Sequence, residues 1–280
     1  MPHRSVISTL LVSFASLMFV GVAIAADKDD NDKADQKPQV NEERIVELTA
    51  LIAAKPNDPA GYRMRAYEYA RGHAWDKAAA DFVDIVVLRG VNSQIGQQIG
   101  VFLVLAGDTK THESLCKEML EAYSDSNDLG NLERTAKLCV LMPKPVGQLE
   151  KLLELSKRSV ELSKKRDFAS HHHRTLGLVL YRMKKYDEAI EAVHAADKVD
   201  AASRFQIPSV IVCNRAIEAM CLFRLEQPDK AKKALAKATP VLTEKLKDQT
   251  ALYEGNFWHD WLIAKALHDE AQRLIAKPKQ

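Results

Sequence analysis

Three consecutive histidines, His171-His172-His173, are residues whose type could do chemistry, since neutral imidazoles are common metal ligands. On a helix, successive side chains point about 100° apart and do not close on one ion, so the run predicts no metal site; only an extended loop here would lift that objection. His173 is expected to pack and His171 to face a groove. Of the four cysteines, Cys213 and Cys221 fall on one expected helix about 12 Å apart, too far to bridge. Cys116 and Cys139 fall on neighbouring helices, so a disulfide and two buried thiols both stay open for them. Ser114-Leu115-Cys116-Lys117 matches Ser-x-x-Lys but has no Lys-Thr-Gly partner, and no zinc-protease or Walker motif is present. Asp187 and Glu188 open a helix, where carboxylates favour the dipole, and with Glu191 they read as a solvated face rather than an acid/base pair. These residues predict no catalytic site and no cofactor.

A second pattern sets arginines beside aromatic rings. Arg63, Tyr67 and Arg71 are spaced by four; so are Arg174, Leu178 and Arg182, with Tyr181 adjacent, and Ala216, Met220 and Arg224, with Phe223 adjacent. Residues four apart share a helix face, and arginine recurs at the third place of each set. A planar guanidinium pairs with both oxygens of a carboxylate while the rings supply apolar contact, so the pattern suits an acidic peptide. Each desolvated charged hydrogen bond contributes about 1.5 to 3 kcal/mol, and two or three support micromolar binding after ordering costs. Against this stands the plainer reading that these arginines are solvated and only aid solubility, the usual fate of charged side chains. His171 joins the groove set. Replacing Arg174 and Arg182 by alanine is expected to weaken partner capture without disturbing the helices.

The elements that must present these residues are helix pairs. Leu176-Gly177-Leu178, Tyr181, Tyr186, Ala189 and Ala196 alternate small and large side chains where one helix packs closely against the next. The same register returns from Pro59, with Ala66 and Ala78 in the close-contact places of Gly177 and Ala189, and from Val212, with Ala219 and Ala231. The pattern resembles the tetratricopeptide repeat. Arg65 and Glu218 depart from it by standing where the clear unit has Leu176, and Gly90, Ala201 and Thr243 replace its terminal proline. The resemblance implies that the first helix of each pair lines an inner wall and that the fold is a binding surface rather than a catalyst.

Helical runs over 93–106, 109–123, 129–142 and 146–165 form two further, degenerate pairs; a helix opening at Asn41 as a cap and ended by Pro56 reads as the second half of a truncated leading unit. Pair starts fall roughly 34 to 42 residues apart, near the repeat period. The expected fold is therefore all-α, a tetratricopeptide-like solenoid of about five pairs over 41–276, closed by a capping helix that begins at Phe257-Trp258. Leu115-Cys116-Lys117-Glu118-Met119-Leu120 and Glu133 to Pro143, with Trp261-Leu262-Ile263-Ala264, resemble the repeat regions that follow serine/threonine kinase or β-propeller domains in some bacterial proteins. This chain has no kinase signature of its own.

Residues 1–25 place Arg4 before an apolar stretch and end in Ala23-Ile24-Ala25, which reads as a signal peptide cleaved after Ala25; an uncleaved anchor is the competing reading. Either places the remainder outside the cytoplasm, periplasmic or secreted. Residues 26–40 are polar and acidic, a linker unable to offset the entropy of ordering. The chain has 280 residues, 46% of them apolar, and a net charge of +2 without a long basic block, which speaks against nucleic acid. The function expected is an exported, non-enzymatic scaffold holding a protein or acidic peptide in its concave groove, with a membrane partner only if the leader is retained. The rivals are a membrane-anchored signalling accessory and, further off, a solenoid-based cell-wall enzyme.

Overall fold

The computed structural model describes residues 39–255 and 257–276; the expected leader and nearly all of the expected linker lie outside these. Thirteen helices and no strand occur among the described residues. They fall into two compact units, one ending at Val91 and the other beginning at Asn92. The fold is all-α, built of tetratricopeptide-like helical hairpins.

In the first unit, α1 (Glu42–Ala54) packs on α2 (Pro59–Arg71), which pairs with α3 (Trp75–Arg89). Asn41 caps α1 by accepting from the Arg44 amide at 3.1 Å, as its side chain predicts, and Asp58 does the same for α2. The small pair Ala66 and Ala78 is fully buried in the α2–α3 seam. Arg65, which departs from the repeat pattern, replaces an apolar knob with charge. Its fork holds the buried Asp81 of α3 at 2.6 and 3.0 Å while another nitrogen reaches Thr49 of α1 at 3.0 Å. One guanidinium thus ties three helices.

The second unit contains α4 (Ser93–Ala106), α5 (Thr109–Tyr123), α6 (Leu129–Leu141), α7 (Leu149–Ser163), α8 (Ala169–Arg182), α9 (Tyr186–Ala202), α10 (Pro208–Arg224), α11 (Pro228–Lys247), the short α12 (Gln249–Glu254) and α13 (Trp258–Ala276). Sequential helices pair as α4–α5, α6–α7, α8–α9 and α10–α11, while the first helices also stand side by side: α4 on α6, α6 on α8, α8 on α10. The α8–α9 seam is as tight as its small residues imply, for a β-carbon added at Gly177 would lie 2.6 Å from Val193 Cγ1. Ala189, Ala219 and Ala231 are fully buried. Glu218, the other departure from the pattern, meets Arg215 on its own helix and His194 of α9 at 3.2 Å, again exchanging packing for polar ties.

The helix limits follow local chemistry. Asn92, Asp108 and Asp128 each accept from an amide in the first turn of α4, α5 and α6, and Gly107 ends α4 in the left-handed region at φ 74°. The helix expected from Val146 starts only at Leu149, because the Val146 amide bonds back to Cys139 O at 2.8 Å and Gly147 turns at φ 89°. All four cysteines are buried free thiols, with Cys139 Sγ 3.9 Å from the Cys116 carbonyl oxygen.

Candidate functional site

The sequence reading asks α13 only to cap the last pair. It does pack on α10 and α11, but it also reaches α4 and α6, across the row of first helices. Trp258 at its start stacks on Phe102 of α4 with ring centroids 5.1 Å apart, and His268 meets Thr239 of α11 at 2.9 Å. Its apolar stripe, with Leu262, Ile263, Leu267 and Ala271 buried, drives this seating.

Two carboxylates on α13 meet the two α8 arginines of the expected groove. Arg182 Nη1 and Nη2 donate to Glu270 Oε1 and Oε2 at 2.5 and 2.7 Å. Its Nε also donates to Val140 O at 2.9 Å and Nη2 to Leu141 O at 3.3 Å, satisfying carbonyls that the last turn of α6 leaves open. Arg182 therefore joins α6, α8 and α13, with Tyr181 5.2 Å beneath its guanidinium. Arg174 lies deeper, 1% exposed, between Asp260 of α13 at 3.5 Å and Glu133 of α6 at 3.6 Å. Glu133 in turn accepts from Thr175 at 2.7 Å and meets Lys137 at 3.0 Å.

This network carries balanced charge in the interior. Burial by itself would raise the Glu133 carboxyl, but the Lys137 and Arg174 cations outweigh it and bring it down to about 2. Asp260 is likewise held well below the usual carboxylate range despite its burial, by His171 and His259 once acid protonates them and by the Arg174 cation. Burial pushes the His171 imidazole down to about 3, against the pull of Asp260, and lowers His172 and His259, so all three stay neutral at pH 7.

The structure thus separates the groove residues by burial and by partner. Arg174, Leu178, Tyr181 and Met220 are buried, and Arg182, with its side chain 4% exposed, is taken up by Glu270; the alanine replacements expected to spare the helices would remove core ties instead. His171 has its side chain 12% exposed with Nδ1 3.7 Å from Asp260. Because the triple-histidine run lies on α8, His173 points away from its two neighbours, toward Lys165, Val199 and Arg204. Phe223 is half-buried and Arg224 is exposed beside the Tyr181 hydroxyl. In the first unit Arg63 is exposed, Tyr67 half-buried with its ring 6.1 Å from Phe82, and Arg71 pairs with Glu68 at 2.8 Å. Among the described residues no group of three or more His, Cys, Asp or Glu could hold a metal ion, and no helix is long and apolar enough to cross a membrane.

Sequence reasoning missed Glu133, Lys137, Asp260 and Glu270. The available signal was the acidic pair Asp260 and Glu270 on an amphipathic helix otherwise read only as a cap.

No family model and no curated protein matches the chain. Among solved structures it is similar to the crystal structure of the yeast Tom70, with 15% sequence identity and a TM-score of 0.42 over 86% of this chain and 44% of that one. The chain therefore spans less than half the length of the Tom70 chain it matches.

Proposed function

We propose that this chain is an exported, non-catalytic scaffold that holds a carboxylate-bearing segment of a partner protein against the first helices of its hairpins. The observation that carries the reading is Arg182, which already grips the carboxylate of a helix lying across such a row. A partner carboxylate would make the kind of contact that Glu270 of α13 makes there. In the first unit the corresponding helix, α2, carries Arg63 exposed, with Met64 beside it at 41% exposure, and these are the residues assigned to the partner. Export rests on the amino-terminal pattern ending in Ala23-Ile24-Ala25.

To test this, the mature chain is used to capture proteins from native envelope extract. The captured protein is then produced separately and titrated against wild type and Arg63→Glu. Charge reversal at an exposed site leaves stability within about 0.5 kcal/mol. Binding should weaken at least about tenfold, the loss of one charge-assisted contact. Equal affinity for the variant, or no saturable partner, refutes the assignment. A membrane-anchored signalling accessory is the second reading, which an uncleaved leader over the apolar stretch before Ala25 would favour. A retained leader in the intact mass, in place of a start at Ala26, would select it.

A further inference from the structure

A cavity of about 340 Å³ opens between α4, α6, α8 and the start of α13 in the second unit, beside the Arg174 network. That volume lies in the range of small-molecule sites. Three of its lining side chains are more than nine-tenths buried, and each keeps an atom without a hydrogen-bond partner: Gln97 Oε1, His172 Nδ1 and His259 Nδ1. Among the described residues no protein group meets these three atoms, which leaves their hydrogen-bonding capacity to whatever enters the cavity.

The charges around the cavity cancel. Glu133, Asp167 and Asp260 stand against Arg134, Lys137 and the adjoining Arg174, and the three neutral histidines add none. With as many carboxylates as cations around it, the cavity offers an ion little net field, whereas a molecule with many neutral donors and acceptors matches imidazoles and an amide that do both. At the rim, Phe168 and Phe257 line the cavity at 37% and 47% exposure, with ring centroids 5.8 Å apart, and Phe205 stacks behind Phe168 at 6.0 Å. Aromatic faces are electron-rich and suit the C–H faces of a sugar ring.

We infer that this cavity binds an uncharged saccharide of one or two rings, its hydroxyls on Gln97, His172 and His259 and its C–H face on Phe168 and Phe257. This goes beyond the scaffold reading, whose test resides on α2.

The full mature chain is mixed with methyl β-D-glucopyranoside or N,N′-diacetylchitobiose, and saturation transfer to the sugar is followed by NMR, with acetate and tetramethylammonium as ionic controls. Transfer to at least one sugar and to neither ion is the expected result. Gln97→Leu should weaken sugar binding about tenfold without lowering the melting temperature, since it deletes an unmatched polar atom. Phe168→Gly should weaken sugar binding as well; the residue sits at φ 65°, where glycine is unstrained, which offsets part of the packing lost against Phe205 and Phe257. No transfer to either sugar, transfer to the ions instead, or wild-type affinity in both variants would overturn the assignment.

Discussion

Cutting the Arg182–Glu270 tie should release α13 from the row of first helices. The two bonds are charge-assisted, at 2.5 and 2.7 Å, with side chains 4% and 13% exposed. Their gross value is about 3 to 6 kcal/mol, of which desolvation of both ions removes a large part. Glu270→Ala leaves a buried guanidinium with only the Val140 and Leu141 carbonyls, so the single change should cost about 3 kcal/mol, near the penalty for orphaning one member of a buried pair. In a double-mutant cycle with Arg182→Ala the coupling should be about 2 kcal/mol. Urea unfolding followed by tryptophan fluorescence reads this directly, since Trp258 and Trp261 both lie on α13. Hydrogen exchange supplies the local measurement: amides of α13 should lose about a hundredfold in protection in Glu270→Ala. A coupling below about 0.5 kcal/mol, or unchanged protection of α13, would refute the claim that this ion pair seats the helix.

Acid should destabilise the fold well above the carboxylate range. Burial holds His112 at about 4 and His171 at about 3 in the folded chain, below the usual value near 6.5. The unfolded chain therefore binds more protons over that interval, so stability is complete above pH 6.5 and falls as pH drops, by about 1.4 kcal/mol per unit for each histidine. Glu133, depressed to about 2, adds a further loss as pH falls below about 4.5. Urea midpoints at pH 7.5, 6 and 5 check the slope, and a flat profile contradicts the buried neutral histidines. Gly177→Val should cost about 2 to 3 kcal/mol, because its first carbon already lies 2.6 Å from Val193 Cγ1; an unchanged thermal midpoint would show that the α8–α9 seam yields. Arg65→Met leaves Asp81 buried without its cation and should cost about 3 kcal/mol, while Arg65→Met with Asp81→Leu should recover most of it. If the double variant is no better than the single one, the pair is not the reason for the loss.

Much of the local architecture was legible because it depends on near neighbours. Asn41, Asp58, Asn92, Asp108 and Asp128 announce helix starts through their own side chains, and Gly107 announces an end through its φ. The seam residues were readable for the same reason: a close helix crossing tolerates only small side chains, whatever surrounds it. The register even extends beyond the three units recognised, for Gly100 and Ala136 stand in α4 and α6 at the place Ala66 holds in α2, and a β-carbon on Gly100 would collide with the Leu138 side chain. Large neighbours such as His112 mask that signal in the degenerate pairs.

By itself the sequence determined the helices other than α12, their order, the small-residue seams and the chemical preference of Arg174 and Arg182 for carboxylates, because each follows from local geometry or from the side chain's own structure. Only the tertiary structure decided which carboxylates those would be. Asp260 and Glu270 lie 86 and 88 positions from their arginines, and the turn through α12 sets the path of α13 across the hairpins. An amphipathic stripe says that a helix must bury one face, but not against which face. That choice, made by the packing of α13 on α4, α6, α10 and α11, turned expected surface arginines into interior ties.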